Sequence, residues 1–146
     1  MEEIKFWYPD KENGYLSNLY PVSLIFEKIT FNSSEQAYQY NKILDKESDL
    51  AKIILSETTQ RKIAEVGHSI EEKNMIKDWF KVREKIMYKI VLAKFQQNEI
   101  LANYLKQTGN KKIIENSPID FFWGIGDGTG SNRLGEILME VRNQLI

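Results

Sequence analysis

The stretch that most limits what this chain can fold into is residues 32–42, reading N-S-S-E-Q-A-Y-Q-Y-N-K. Ahead of it apolar residues alternate; beyond it they recur at spacings of three and four, so the chain passes from strand to helix here. Ser33 is placed to cap the free N–H groups of a first helical turn, and Gln36 three residues on completes a capping-box pattern. In the helix so begun, Glu35 and Lys42 are seven residues apart, almost two turns, and share one face with Tyr38 and Gln39. A carboxylate, a phenol, an amide and an amine on one stripe suit the lining of a pocket better than a core. The plainer use of the same residues is that Glu35 meets the helix dipole and Lys42 is solvated.

Residues 4–8 are β-branched and aromatic and read as a strand ending at Pro9. Residues 10–14 are turn-like, and residues 16–21, L-S-N-L-Y-P, form an ordered loop. Leu24 and Phe26, then Ile29 and Phe31, alternate on either side of Glu27-Lys28, which suggests a hairpin with a tight polar turn and hence a small N-terminal antiparallel sheet. Helices follow at residues 34–44, 48–55 and 59–66, the third stopping at Gly67 as a left-handed cap. The longest helix spans 71–96, with Met75, Trp79, Phe80, Ile86, Met87, Ile90, Val91 and Phe95 as its apolar positions. A helix over 98–107 stops at Gly109, and Ile113-Ile114 is a short strand. With no repeat, low-complexity tract or dividing linker, the expectation is one α+β domain over residues 1–146, predominantly helical.

Composition removes several classes of function. Twenty basic residues against 21 acidic ones leave a formal net charge of −1, so no overall pull toward nucleic acid or anionic membrane follows. The absence of cysteine excludes disulfide and thiolate chemistry, and a single histidine argues against the usual zinc sites. No metal or cofactor is expected. The acidic start, Met1-Glu2-Glu3, is unlike a signal peptide, and no apolar run reaches membrane-spanning length, so a cytoplasmic location off the membrane is expected.

The second feature with chemistry in it is D-F-F-W-G-I-G-D-G-T-G-S-N-R-L, residues 120–134. Gly124, Gly126, Gly128 and Gly130 permit close approach of a ligand, and a helix follows with Leu134, Ile137, Leu138, Val141 and Leu145 as its buried stripe. A glycine loop feeding a helix N-terminus is a ready anion site. It matches neither the phosphate-binding loop, which ends Gly-Lys-Ser/Thr, nor the G-x-G-x-x-G spacing. The plainer reading is a flexible loop with Ser131 or Asn132 as helix cap. Arg133 suits a phosphate or is a surface charge.

Together these motifs resemble the NADAR family, also called YbiA-like proteins. The resemblance runs through Leu16-Ser-Asn18-Leu-Tyr20-Pro21, Ser34-Glu-Gln-Ala-Tyr-Gln39 with Lys42, and Lys77-Asp-Trp79 with Val82 and Met87. It continues in Lys94-Phe-Gln-Gln-Asn98, Asp120-Phe-Phe-Trp-Gly124, and N-R-L-G-E-I-L-M-E-V-R over residues 132–142. The resemblance implies a YbiA-like fold and an N-glycosidase that cleaves a bond between a ribose anomeric carbon and a base nitrogen. It implies two substrate classes: ADP-ribose attached to guanine, and ribosylamino-pyrimidine phosphates of early riboflavin synthesis. The family's catalytic glutamate falls on Glu35, its lysine on Lys42, an aspartate on Asp120 and an important tryptophan on Trp79. One departure is Gly67-His68, where many members have Gly-Arg; a phosphate contact made by that arginine is weakened or altered here.

Those residue types fit the reaction. Cleavage builds positive charge on the ribose, which a carboxylate stabilises, and a carboxyl of raised pKa can protonate the departing nitrogen. Glu35 is assigned acid–base work and Asp120 the ribose or the water. Lys42 either holds a phosphate or hydroxyl as an ammonium, or attacks an opened ribose as a neutral amine. Trp79 could stack on a base, although a core tryptophan is the plainer use. Asn18, Tyr38, Trp79, Trp123, Gly124, Gly126, Asn132 and Arg133 complete the candidate substrate-binding set. The expected partners are an ADP-ribose-containing or phosphoribosylated substrate, with ADP-ribosylated DNA a further one. Removal of ADP-ribose from guanine leads, clearance of riboflavin intermediates comes second, and a non-catalytic ADP-ribose-binding module is the reading from another class.

Overall fold

The structure is a computed structural model that describes residues 2–145; Met1 and Ile146, the ends of the expected domain, lie outside the described residues. The first strand, β1 (Glu3–Phe6), stops short of Pro9 and pairs in parallel with β4 (Lys112–Glu115), in register from Glu3 opposite Lys112 to Phe6 opposite Glu115. Ile113-Ile114 is therefore a strand, as its β-branched pair suggests. A parallel partner needs a long crossover, and here the crossover contains most of the molecule.

β2 (Leu24–Phe26) and β3 (Ile29–Phe31) form the small antiparallel sheet by themselves, so β1 stands apart from it. Their two-residue turn puts Glu27 at φ 48° and Lys28 at φ 71°, the left-handed pair that a tight hairpin demands. Leu24 and Phe31 face each other across the ladder on the buried side, and Ile25 pairs with Thr30 on the exposed side. The free edge at Ile25 is covered by a side chain: the Gln97 amide accepts from Ile25 N at 2.7 Å and donates to Ile25 O at 2.8 Å.

The helices are α1 (Ser34–Lys42), α2 (Asp49–Ser56), α3 (Gln60–His68), α4 (Trp79–Gln96), α5 (Glu99–Gln107) and α6 (Arg133–Gln144). α1 lies at the centre, packed on α2, α3 and α4, while α6 packs between α4 and β4. The core joins Phe6, Leu24 and Phe31 with Ala37, Ile54 and Ile63, then Met87, Ile90, Phe95, Leu105 and Leu138. Gly109 ends α5 at φ 63°, the expected left-handed stop.

β1 and α1 each end two residues before their expected ends, and two other boundaries differ for a reason visible in the packing. Gly67 is not a left-handed cap: α3 continues through it to His68, and Ser69 closes the helix in a right-handed conformation. The glycine is there for space, because a Cβ on it would lie 2.1 Å from the Gln39 side chain. The long helix starts at Trp79 instead of near Glu71. Met75, which the periodicity assigns to that helix, instead forms an antiparallel bridge with Ile43 just past the end of α1, and Asp78 turns the chain with φ 59°. Among the described residues no helix is long and apolar enough to cross a membrane.

Candidate active site

The site is built outward from α1. Ser33 Oγ accepts from Gln36 N at 3.0 Å, which caps α1, and Gln36 Oε1 accepts from Asn32 N at 2.8 Å, one residue ahead of the N–H that a capping box uses. Glu35 N, a first-turn donor with no partner inside the helix, donates to Asn18 O at 3.0 Å. Asn18 also accepts from Ser34 Oγ through its side chain at 2.9 Å and donates to Met87 Sδ. Its task is thus to hold the start of α1 against α4.

On the stripe itself, Glu35 Oε1 accepts from Gln39 Nε2 at 2.7 Å. Burial pushes the Glu35 carboxyl above the usual range and the charge of Asp120 adds to this, against the Gln39 hydrogen bond and the charges of His68 and Lys42. Lys42 is 7% exposed, which rules out the solvated use. Its Nζ donates to Gly67 O at 3.1 Å and lies 5.8 Å from the Tyr38 ring and 6.0 Å from the Trp79 ring. Burial lowers its pKa, opposed by Glu35 and aided by the Arg83 charge. An acid and an amine, each with its charged form disfavoured by burial, face the same space.

The loop after β4 supplies the other wall. Asp120 Oδ1 accepts from Phe122 N at 3.0 Å and Trp123 N at 2.8 Å, which fixes the carboxylate and turns the chain so that Trp123 meets Tyr38 edge-on, centroids 5.6 Å apart. Tyr38 in turn lies 5.0 Å from Trp79. Trp79 is 3% exposed and closes the inner end of this aromatic series. Behind the loop sits Glu115, whose carboxyl is pushed up to about 8 by burial and then by the charges of Asp120 and Glu35. Gly124 makes that placement possible: a Cβ on it would stand 2.2 Å from Glu115 Oε2.

The structure therefore gathers Glu35, Lys42, Asp120, Tyr38, Trp79 and Trp123 in one place. It gives other tasks to the rest of the expected set. The N–H groups of Asn132, Arg133 and Leu134, which would make the start of α6 an anion site, donate to the carbonyls of Gly124, Phe122 and Trp123 at 2.9–3.1 Å. The glycine loop folds back over its own helix and takes the place of the anion. Neither Ser131 nor Asn132 caps through its side chain; the Asn132 amide instead accepts from Glu115 N at 2.9 Å and donates to Ile113 O at 3.0 Å, tying α6 to β4. Arg133 is ion-paired with Glu84. Gly126 adopts φ 55° with the Phe121 ring packed where its Cβ would be.

Three residues of the site are missing from the sequence reading's set: Gln39, Arg83 and Glu115. Five buried side-chain polar atoms among the described residues lack a hydrogen-bond partner, and three of them, Gln39 Oε1, Arg83 Nε and Glu115 Oε2, border the Glu35 cluster. Buried polar atoms are seldom left unpaired, so their concentration marks a place built for a ligand. Gln39 and Arg83 carried a signal, the first by lying on the Glu35–Lys42 stripe and the second by standing one turn after Trp79. Glu115 carried none beyond following a strand. Among the described residues no group of three or more His, Asp or Glu side chains is arranged to hold a metal. A groove of about 310 Å³ borders the cluster through Trp79 and Phe80, and its charged residues balance: Lys77 and Lys81 against Glu72 and Asp78.

Comparison with known proteins agrees with this architecture. The NADAR domain model matches residues 5–146. The chain is 37% identical over 145 residues to a riboflavin biosynthesis protein of Vibrio vulnificus, an alignment covering 99% of this chain but 39% of that protein. It is 33% identical over 143 residues to the N-glycosidase YbiA of Escherichia coli, covering 97% and 88% of the two chains. The NMR structure of the E. coli protein YbiA superposes with a TM-score of 0.86 at 33% identity, over 97% of this chain and 83% of that one.

Proposed function

Because the chain belongs to the NADAR domain family, we propose that it is an N-glycosidase, like its relative YbiA, and that it removes ADP-ribose from guanine. The observation that carries the reaction class is the meeting of Glu35, Lys42 and Asp120 beside Tyr38 and Trp79. Three chemically distinct groups around one aromatic surface are more than a binding module needs.

In this reading Glu35, whose neutral form burial favours, gives its proton to the base nitrogen as the bond to the anomeric carbon breaks. The positive charge left on the ribose develops next to the Asp120 carboxylate. One water adds its oxygen to the anomeric carbon and yields its proton to that carboxylate, so the products are a ribose with a free anomeric hydroxyl and a free base. Lys42 has a second use. As a neutral amine it adds to the aldehyde of an opened ribose, releasing water to form an imine that hydrolysis later returns.

The substrate assignment draws on the aromatic series. Trp79 and Tyr38 are buried and back the series from inside, and the half-buried Trp123 at its outer end is a large ring on which a purine such as guanine can stack. The second reading, a ribosylamino-pyrimidine phosphate, draws on the balanced charge of the neighbouring groove, which offers little to a DNA strand, and on the riboflavin name of the Vibrio relative. A chromatographic assay with ADP-ribosylated guanosine, an ADP-ribosylated guanine-containing oligonucleotide and a ribosylamino-pyrimidine phosphate decides between them. Release of ADP-ribose from either guanine substrate supports the lead. Cleavage of the pyrimidine alone replaces it with the second reading.

A further inference from the structure

Arg83 stands one turn along α4 from Trp79 and has an environment unlike any other cation of the cluster. Its guanidinium carbon lies 3.7 Å from the Phe122 ring centroid and 5.2 Å from that of Phe80. Nε is buried and has no hydrogen-bond partner. No acidic side chain pairs with it among the described residues, for the neighbouring Glu84 is taken by Arg133. Its charge nevertheless reaches the reacting stripe, acting on both Tyr38 and Lys42. A partly buried guanidinium without a counter-charge is costly, and rings stacked against it hold its fork in one orientation while leaving its N–H edge for an anion.

Of the other cations, His68 also reaches Glu35 but is exposed and has none of the ring contacts that fix Arg83, and the remaining anion sites have partners. The start of α6 is covered by loop carbonyls, Arg133 has Glu84, and Lys42 has the Gly67 carbonyl and Glu35. Glu35, Asp120 and Glu115 are the acid groups of this space, and none of them pairs with Arg83, so its counter-charge is left to a ligand. A phosphate, with oxygens matching the planar fork, is the anion that suits.

We infer that Arg83, stacked on Phe122 with its Nε buried and unpaired, is the residue that holds a phosphate of the ribosyl substrate. The inference rests on the reading above only in requiring a phosphorylated ribosyl ligand. The diphosphate of ADP-ribose and the 5-phosphate of a ribosylamine present the same chemistry to it. The aromatic contacts make Arg83 a specificity residue: it selects for phosphorylated ligands and takes no part in bond cleavage.

The test is direct binding, which needs no turnover. ADP-ribose, ribose 5-phosphate and, as a ligand without phosphate, adenosine are titrated calorimetrically into wild type, Arg83→Gln and Arg83→Lys, with each fold checked by circular dichroism. The expected result is affinity for the phosphorylated ligands reduced about tenfold or more in Arg83→Gln, with adenosine unaffected. Arg83→Lys, which keeps the charge but not the fork or the stacking, weakens the same ligands about threefold or more and decides the matter should the glutamine variant not fold. Tighter dependence with ADP-ribose than with ribose 5-phosphate identifies the diphosphate as the group held; the reverse identifies the 5-phosphate. Equal affinity in wild type and both variants, or no binding of either phosphorylated ligand to wild type, overturns the inference. Arg83-dependent binding without turnover of any substrate supports it while removing the hydrolase reading.

Discussion

The molecule holds two buried lysines, and they are used in opposite ways. Lys94, on α4, is 1% exposed, and its Nζ donates to Tyr15 O at 2.7 Å and Ser17 O at 3.1 Å. Its neighbours are backbone carbonyls and the Tyr20 and Phe95 rings, and burial alone brings it down to about 7. Lys42 has one carbonyl, one nearby glutamate and the edge of an aromatic pocket. Lys94 is fastened at both available acceptors, so it ties the 15–17 segment to α4. Lys42 is fastened at one and keeps hydrogens for a substrate. A depressed pKa by itself therefore does not mark a reactive lysine; the unfilled surroundings do.

Substituting each lysine breaks the comparison most severely. Lys42→Ala is expected to lower turnover per folded molecule by about 10²–10⁴-fold, more than its loss of stability accounts for. Lys94→Ala is expected to lose about 2–5 kcal/mol of stability, read by urea denaturation, through a cavity and the orphaned Tyr15 carbonyl, Ser17 O keeping its bond from Tyr20 N, with turnover per folded molecule retained. Full activity in Lys42→Ala sinks the contrast.

Stability against pH sharpens the same point. In the unfolded chain Glu115 titrates near 4.5, and in the folded one at about 8, so its contribution is present below 4.5 and lost as pH rises through 8. Lys94 moves from 10.5 to about 7, so its contribution is present above 10.5 and lost as pH falls through 7. The melting temperature should fall between pH 4.5 and 7 and rise between pH 8 and 10.5. Glu115→Gln should flatten the first limb and Lys94→Met the second; a melt that ignores pH contradicts both assignments.

Gly67→Ala addresses the support of Lys42. The added Cβ meets the Gln39 amide at 2.1 Å and disturbs the hydrogen bond that Gln39 makes to Glu35. A loss of about 1–3 kcal/mol is expected, together with roughly tenfold lower turnover, measured on the soluble variant. Arg133→Ala should do least: its pair with Glu84 is partly exposed, so about 0–1 kcal/mol is at stake, and the KM for a phosphorylated substrate should not move. A raised KM there would restore Arg133 to the substrate site.

What the sequence makes legible is what local rules decide. The α1 cap, the face shared by Glu35 and Lys42, the Glu27-Lys28 turn and the Gly109 stop depend on residues a few positions apart, and all are present. The rest depends on what the chain meets later. Met75 stands four residues before Trp79, at helical spacing, yet it bridges to Ile43 and the helix waits until Trp79. Gly67 resembles a cap until Gln39 is seen beside it. The glycine loop resembles an anion cradle until its own carbonyls are found covering the start of α6. Glu115 becomes a site residue only because β4 ends behind Asp120.

The most direct measurement is release of free base from the phosphorylated N-ribosyl substrate by Glu35→Gln, run beside wild type with circular dichroism melts on the same samples. The expected result is a fall of about 10²-fold or more in turnover, with the melt unchanged or slightly raised, since a neutral amide is spared the carboxylate burial cost that raises the Glu35 pKa. Wild-type turnover in a folded Glu35→Gln would contradict it and move the chemistry away from the α1 stripe.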